Sequence, residues 1–132
     1  YYRTLLEKCG MGLENKMNIK VNSLSGGQRQ ALALVIANMA DIKLLILDEH
    51  TAALDPHSSE TIMELTQKII SENNVTSVMV THNLRYAVEY GNRLLMMHEG
   101  KNVLNIGGAK KENTKVDDLL EIFNDISIEM GN

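Results

Sequence analysis

Cysteine, proline and large aromatic residues are scarce in this sequence. Its 132 residues include one cysteine, one proline, one phenylalanine and no tryptophan. A single cysteine, Cys9, cannot form an internal disulfide, so we expect a reducing compartment, the cytoplasm. No apolar stretch approaches the roughly 18 residues that a membrane span requires. The N-terminal segment is mixed and polar, and it has no signal-peptide pattern.

The chain also lacks an excess of basic residues. It has 13 Lys and Arg against 17 Asp and Glu, which gives a formal charge of −4. Proteins that bind duplex nucleic acid rely on clustered Lys and Arg, so we expect no nucleic-acid partner. The length fits one compact domain with a hydrophobic core and is too short for two.

The order of hydrophobic patterns predicts alternating helices and strands. Short apolar or β-branched runs predict strands at 44–47, 75–81, 93–98 and 103–106. Apolar spacing and start signals predict helices at 4–8, from Gly26, from Pro56 with Asp55 as N-cap, at 84–89, and from Thr114 with Asp117 completing a capping box. The 44–47 run is wholly apolar and is typical of a strand buried on both faces of a parallel sheet. This order predicts an α/β domain.

Three helices have a predicted buried face, defined by the i, i+3, i+4, i+7 spacing of their apolar residues. These faces are Leu32, Val35, Ile36 and Met39 in the helix from Gly26; Ile62, Leu65, Thr66 and Ile69 in the helix from Pro56; and Val116, Leu119, Leu120 and Phe123 in the last helix.

The segment Leu24-Ser25-Gly26-Gly27-Gln28 is the first candidate functional motif. Two glycines just ahead of a helix let backbone N–H groups approach an anion closely, and the helix N-terminus favours negative charge. Ser25 adds a hydroxyl donor. The structural alternative is a flexible turn in which Ser25 is a simple N-cap.

Acidic residues form the second and third motifs. Asp48 and Glu49 follow the 44–47 strand, where a carboxylate can help to hold Mg²⁺ and its neighbour can orient or deprotonate a water molecule. The alternative is a pair of solvated acids at a strand end. The third motif, Ala53-Leu54-Asp55, leads into a helix, and Asp55 can be both N-cap and functional residue.

The fourth motif is Thr81-His82-Asn83, at the end of the second predicted strand. His82 is a candidate only because of the other motifs, and we interpret the remaining histidines as structural or solvated. A metal site formed by His50, His57 and Asp55 is an alternative, although no third strong ligand has suitable spacing.

In their order and spacing, the four segments resemble the ABC ATPase family over residues 24–82, and the following strands extend the resemblance to about residue 106. The resemblance implies a partial P-loop NTPase (RecA-like) core with a mostly parallel sheet. It also implies that residues 1–40 are the end of the helical subdomain, finishing in the signature helix, and that 41–132 are the C-terminal half of the ATPase core with a terminal hairpin and helix.

The resemblance also implies residue roles. Ser25, Gly26, Gly27 and Gln28 correspond to the signature that contacts the γ-phosphate of ATP held by the opposite subunit. Asp48 corresponds to the Walker B aspartate that positions Mg²⁺ through water, and Glu49 to the general base. Leu54 and Asp55 correspond to the D-loop that crosses between subunits, and His82 to the switch histidine that senses the γ-phosphate.

Two positions depart from the family pattern. The family usually has Pro after the glutamate, and this chain has His50; it usually has Ser before Ala-Leu-Asp, and this chain has Ala52. Neither departure removes a catalytic carboxylate. The loss of the serine hydroxyl is expected to alter coupling between the two sites.

The Walker A pattern G-x-x-x-x-G-K-[ST] does not occur in these 132 residues. That loop cradles the β- and γ-phosphates and ligates the metal, and the upstream base-stacking aromatic and Q-loop glutamine cannot be placed either. Because the catalysis is mostly positioning and electrostatic stabilisation, we expect this chain alone to be inactive. We also expect exposed strand edges and self-association.

The functional expectation is the C-terminal part of an ATP hydrolase that drives solute transport across a bacterial membrane. The Asp-Glu-His-Thr-Ala-Ala-Leu-Asp-Pro variant is similar to ATPases of importers of the tryptophan/tyrosine type. The implied partners are a second ATPase subunit in a homodimer, membrane permease subunits and, indirectly, a solute-binding protein, at the inner face of the membrane. The alternatives are an ABC ATPase of DNA repair or ribosomes, and a non-catalytic interaction module.

Overall fold

The computed structural model describes residues 1–129, and these residues form two compact units. The N-terminal unit is Tyr1–Val80, and the C-terminal unit begins at Thr81. The expectation of one compact domain was therefore wrong, because the strands form two separate two-stranded sheets, one in each unit. The predicted division at residue 40 is a different boundary and stays a prediction.

Every predicted helix and strand is present, with shifted ends for several of them. The N-terminal unit contains α1 (Tyr2–Glu7), α2 (Gly26–Met39), β1 (Leu44–Asp48), α3 (Pro56–Asn73) and β2 (Thr76–Val80), with short 3₁₀ turns at Leu13–Asn15 and Val21–Ser23. The C-terminal unit contains α4 (Leu84–Glu89), β3 (Arg93–His98), β4 (Lys101–Gly107), α5 (Ala109–Glu112) and α6 (Val116–Glu129). The predicted α/β class is confirmed.

Strands β1 and β2 pair in parallel, from Leu44 opposite Thr76 to Asp48 opposite Val80, and α3 connects them. The prediction that β1 is buried on both faces was wrong. Leu45 and Leu47 are buried, whereas Ile46 is 66% exposed. One face packs against the helices of the N-terminal unit, and within residues 1–129 no element buries the opposite face.

The core of the N-terminal unit lies between α2, α3 and one face of the sheet. The predicted face of α3 is confirmed, since Ile62, Leu65, Thr66 and Ile69 are all buried. The predicted face of α2 was wrong in part: Val35 is buried and Leu32 packs against the core, but Ile36 and Met39 are exposed. The residues of α2 that are buried are Gly27, Ala31, Leu34 and Val35. Gly27 and Ala31 allow close approach to neighbouring elements, and the buried face therefore includes them and Leu34 in place of Ile36 and Met39.

The ends of α3 follow from its sequence. The Asp55 side chain accepts a hydrogen bond from Ser58 N at 3.0 Å, and Pro56 occupies the first helical position, as predicted. Asn74 ends the helix with φ +50°, a left-handed conformation that asparagine tolerates better than most residues.

The C-terminal unit contains an antiparallel hairpin of β3 and β4, with an irregularity between Met96 and Met97. Leu94 and Met96 pack with Leu119 of α6, which is 1% exposed. The predicted face of α6 was wrong in part, because Leu120 and Phe123 are exposed. Of the four predicted residues, only Leu119 is fully buried against the strands. The contact between α6 and the hairpin is therefore narrower than the apolar pattern indicates.

The predicted capping box at the start of α6 was also wrong. Thr114 Oγ1 donates to Lys110 O at 2.7 Å, and the Asp118 carboxylate accepts from Lys115 N at 2.7 Å. The helix therefore begins one residue later than a Thr114 cap requires, and Asp118 caps it in place of Asp117. Over residues 1–129, no helix has the length and hydropathy needed to cross a membrane.

Candidate functional site

The start of α2 is built by a reciprocal pair of hydrogen bonds. Ser25 Oγ accepts from Gln28 N at 3.2 Å, and Gln28 Oε1 accepts from Ser25 N at 3.2 Å. The structural alternative for Ser25 is thus realised, because this is a capping box. Capping leaves the Ser25 hydroxyl proton available to a ligand, since Oγ acts only as an acceptor in this pair.

The Gln28 side chain also binds the loop that precedes α2. Its Nε2 donates to Met11 O at 3.1 Å, and its Oε1 accepts from Lys16 Nζ at 3.0 Å. Met11 and Lys16 were not predicted as parts of this site, and no local sequence pattern indicates contacts over 17 and 12 residues. Gln28 therefore holds the start of α2 to the loop that precedes the helix.

The two signature glycines form the first turn of α2 rather than preceding it. Gly26 is exposed, and a Cβ added there would lie 3.1 Å from Leu54 Cδ2. Gly27 is buried, and an added Cβ would lie 3.0 Å from Ser58 Cβ and 3.0 Å from Met11 Cε. Gly27 is therefore needed for the close packing of α2 against α3, whereas at Gly26 the nearest neighbour is the flexible end of Leu54, in the loop before α3.

Asp48 and Glu49 lie at the carboxyl end of β1, where ligands bind in open α/β sheets. Asp48 is exposed, and Glu49 is half-buried. Glu49 has φ +48°, a left-handed conformation that costs a residue with a side chain on the order of 1–3 kcal/mol. Its N–H donates to Val80 O at 2.9 Å, and its carbonyl accepts from Ala52 N at 3.0 Å.

The loop from Thr51 to Asp55 is anchored to α3. Ser59 Oγ donates to Thr51 O at 3.3 Å, and both residues are buried. At its end, hydrogen bonds from the Ser58 side chain and backbone lower the pKa of the exposed Asp55 carboxyl. Asp55 is therefore a charged N-cap on a loop held by buried polar contacts.

His50 points into the protein. Its Nε2 lies 3.2 Å from Oγ1 of Thr66, and burial lowers the pKa of the imidazole. His57 is exposed on the first turn of α3. The alternative metal site of His50, His57 and Asp55 was wrong: among the described residues, no three His, Cys, Asp or Glu side chains are grouped to hold a metal.

His82 is exposed in the turn that opens the C-terminal unit. The neighbouring residues fix that turn. Asn83 N donates to Thr81 Oγ1 at 3.0 Å, and Asn83 Oδ1 accepts from Arg85 N at 3.1 Å and Tyr86 N at 3.3 Å. Asn83 therefore caps α4, a role that the sequence did not predict for it.

Comparison with known proteins identifies the family of the chain. A family model described as ABC transporter matches residues 2–52. A tyrosine transport ATP-binding protein of Clostridioides difficile (strain R20291) is 51% identical over 119 residues, which cover 90% of this chain and 47% of that protein. The chain belongs to the ABC transporter family. Its predicted membership is confirmed.

Other relatives place it among ATP-binding proteins of transporters. The methionine import ATP-binding protein MetN of Clostridium tetani (strain Massachusetts / E88) is 40% identical over 100 residues, covering 76% of this chain and 31% of that one. The energy-coupling factor transporter ATP-binding protein EcfA2 of Listeria innocua serovar 6a is 38% identical over 99 residues, covering 75% and 34%. The chain thus spans less than half the length of these relatives.

A solved structure supports the fold. A metal-chelate type ABC transporter in an inward-facing conformation superimposes with a TM-score of 0.71 at 25% identity, over 92% of this chain and 48% of that one. The predicted fold class, part of a P-loop NTPase core with a parallel strand pair, is confirmed. The roles of individual residues stay predictions.

Proposed function

We propose that this chain is the C-terminal part of an ABC ATPase that couples ATP binding and hydrolysis to solute uptake through a membrane permease. The observation that carries the proposal is the presence of four ordered motifs in a chain that is 51% identical to a tyrosine transport ATP-binding protein. The names of these three relatives all concern transport, which favours a transport function over DNA repair, a ribosomal function or a non-catalytic interaction module.

The signature half-site, formed by Ser25, Gly26, Gly27 and Gln28, binds the ATP that is held by a partner subunit. Ser25 and Gly26 are exposed at the N-terminus of a 14-residue helix, where free N–H groups and the helix dipole favour a phosphate. Gly27 is buried behind them, and the Gln28 side chain is bound to Met11 and Lys16. In our proposal Ser25 and Gly26 contact the γ-phosphate, while Gly27 and Gln28 hold that surface in shape.

The acidic half-site, formed by Asp48 and Glu49, acts on the ATP that is bound by the same chain. Mg²⁺ bound to nucleotide keeps several waters and uses few protein carboxylates, so one exposed carboxylate, Asp48, fits a water-mediated role. When bound, Mg²⁺ neutralises charge on the β- and γ-phosphates. Glu49 orients and deprotonates the attacking water, Asp55 belongs to the loop that meets the other subunit, and His82 senses the γ-phosphate.

The assembly that we propose is a homodimer of the full-length ATPase, attached to permease subunits at the cytoplasmic face of the membrane. A solute-binding protein acts with it indirectly. Residues 1–40 are the end of the helical subdomain, and residues 41–132 are the C-terminal half of the ATPase core. The solute class that we propose is an aromatic amino acid, because the 51% identical protein is named for tyrosine transport.

The test is the exchange of Glu49 for Gln in the full-length protein. This change removes the base but keeps the size of the side chain, so we expect ATP binding to persist, phosphate release to fall by 100-fold or more, the order of magnitude of a lost general base, and an ATP-bound dimer to accumulate. The matched control is Glu72→Gln on the exposed surface of α3, which is expected to turn over normally. Undiminished hydrolysis by Glu49→Gln would exclude Glu49 as the base.

The same phosphate-release assay tests the isolated 132 residues. Because they contain no Walker A pattern, we propose that they do not hydrolyse ATP alone, and we expect no release above that of the Glu49→Gln protein. Turnover by the isolated chain that Glu49→Gln abolishes would show that these residues hold ATP without that loop.

A further inference from the structure

The His50 side chain makes a buried hydrogen bond whose direction can be assigned. Its Nε2 lies 3.2 Å from Thr66 Oγ1, and the Thr66 hydroxyl donates its only proton to Ile62 O at 2.7 Å. Nε2 must therefore be the donor and Thr66 the acceptor. Thr66 is 3% exposed, so water does not readily replace this bond.

The hydrogen bond to Thr66 is made by the residue that directly follows Glu49, whose backbone is strained. Glu49 has φ +48°, and a left-handed residue with a side chain persists only where the surrounding structure holds it. Its own N–H is bound to β2, through Val80 O. The next two residues are bound to α3, His50 through Thr66 and Thr51 through Ser59.

We propose that His50 is a positioning residue for Glu49: its hydrogen bond to Thr66 holds the turn in the conformation that directs the Glu49 carboxylate at the attacking water. This inference rests on the proposed role of Glu49 as general base. The family pattern usually has Pro at this position, and the proline ring restricts the backbone directly. His50 lacks that restriction, and the tether to α3 takes its place.

The decisive pair of variants is Thr66→Val and Thr66→Ser in the full-length protein. Valine keeps the shape of the buried side chain and removes the acceptor, whereas serine keeps the hydroxyl and loses a buried methyl group. Positioning predicts that Thr66→Val lowers kcat about tenfold with an unchanged KM for ATP, since small misplacements of catalytic groups have effects of this order or larger. Thr66→Ser is expected to retain kcat while unfolding at lower denaturant concentration. A merely structural role predicts that both variants, measured under conditions in which they are folded, retain the kcat of the wild type.

Variants of His50 test the same hydrogen bond from its donor side. His50→Ala is expected to match Thr66→Val, and the double variant to be no slower than either single one, because both remove the same interaction. His50→Gln places an amide N–H near the position of Nε2 and is expected to restore most of kcat. A double variant whose losses multiply, or a His50→Gln protein as slow as His50→Ala, would contradict the proposal.

A second readout does not depend on turnover. The Ala52 N–H donates to Glu49 O, and we expect it to exchange with solvent faster in Thr66→Val than in Thr66→Ser, as measured by amide hydrogen exchange. Equal exchange together with wild-type kcat in Thr66→Val and His50→Ala would overturn the inference while Glu49→Gln still blocked hydrolysis. Hydrolysis unaffected by Glu49→Gln would instead overturn the proposed function and the inference with it.

Discussion

Several residues at the candidate site combine a structural bond with an exposed chemical group. Ser25 caps α2 as an acceptor and keeps its proton, and Asp55 caps α3 while its carboxyl stays exposed and its pKa is lowered. Glu49 occupies a left-handed turn that a glycine would adopt more readily, but glycine would lack the carboxylate. At Ser25 and Asp55, local structural chemistry and the proposed function require the same residue types, whereas at Glu49 the proposed function requires a carboxylate that the turn alone does not favour.

The prediction at the scale of single residues concerns Gly27. An added Cβ would lie 3.0 Å from Ser58 Cβ and 3.0 Å from Met11 Cε, so we expect Gly27→Ala to destabilise the full-length protein by about 1–3 kcal/mol through overpacking. Urea unfolding measures the effect. Gly26→Ala is the control, since its nearest neighbour is the flexible end of Leu54 and alanine favours helix. Equal stability of Gly27→Ala and wild type would show that α2 and α3 are not closely packed here.

At the scale of elements, the sequence predicted what is determined locally. The start of α3 was predicted by Asp55-Pro56, and its buried face by a clear contrast between apolar and charged positions. The face of α2 was predicted only in part, because Ala, Leu, Val and Ile occur all around that helix and the packing partner selects among them. The contacts of Gln28 with Met11 and of His50 with Thr66 join residues 16 or 17 positions apart, and no periodic pattern specifies them.

The prediction at the scale of elements concerns a buried lysine in the C-terminal unit and the helix that it contacts. Lys111 is 4% exposed and donates to Val88 O, in the last turn of the six-residue helix α4. Burial lowers the pKa of its ammonium group. Because a cation at a helix C-terminus satisfies a free carbonyl, we expect Lys111→Ala to cost about 1–3 kcal/mol, the range for orphaning a buried hydrogen-bond partner.

The control for Lys111 is its exposed neighbour. Lys110→Ala is expected to change the free energy of unfolding by less than about 0.5 kcal/mol. Amide exchange in α4 measures the local effect, and it should accelerate in Lys111→Ala only. Equal exchange in the two variants would mean that Lys111 does not hold α4.

At the scale of the whole chain, an apolar sheet face is uncovered. The exposed residues of β1 and β2 include Leu44, Ile46, Val78 and Val80, each at least half exposed. Patches of this kind mark interaction sites or association hazards, and both strands of a two-stranded sheet are edge strands. Since the chain spans under half the length of its relatives, we propose that the rest of the full-length protein covers this face.

The isolated 132 residues are therefore expected to self-associate. Sedimentation at micromolar concentration should give masses above the 14.7 kDa of one chain, and Ile46→Lys with Val78→Lys should shift the distribution towards monomer by adding charge to the uncovered face. Ile36→Lys, on the exposed side of α2, is the control and should leave the distribution unchanged. A monomeric wild-type chain would contradict this expectation.

The central claim is that the signature acts on a partner's ATP while Asp48 and Glu49 act on the chain's own, and mixed dimers of the full-length protein test it directly. Ser25→Asp keeps an N-cap residue and repels phosphate, so both this variant and Glu49→Gln are expected to be inactive alone. Mixing them in equal amounts forms dimers with one intact composite site, and about a quarter of the wild-type ATPase activity should return if subunits exchange at random. No recovery, in dimers shown to contain both variants, would contradict the account, because the signature and the acids would then serve the same nucleotide from the same chain.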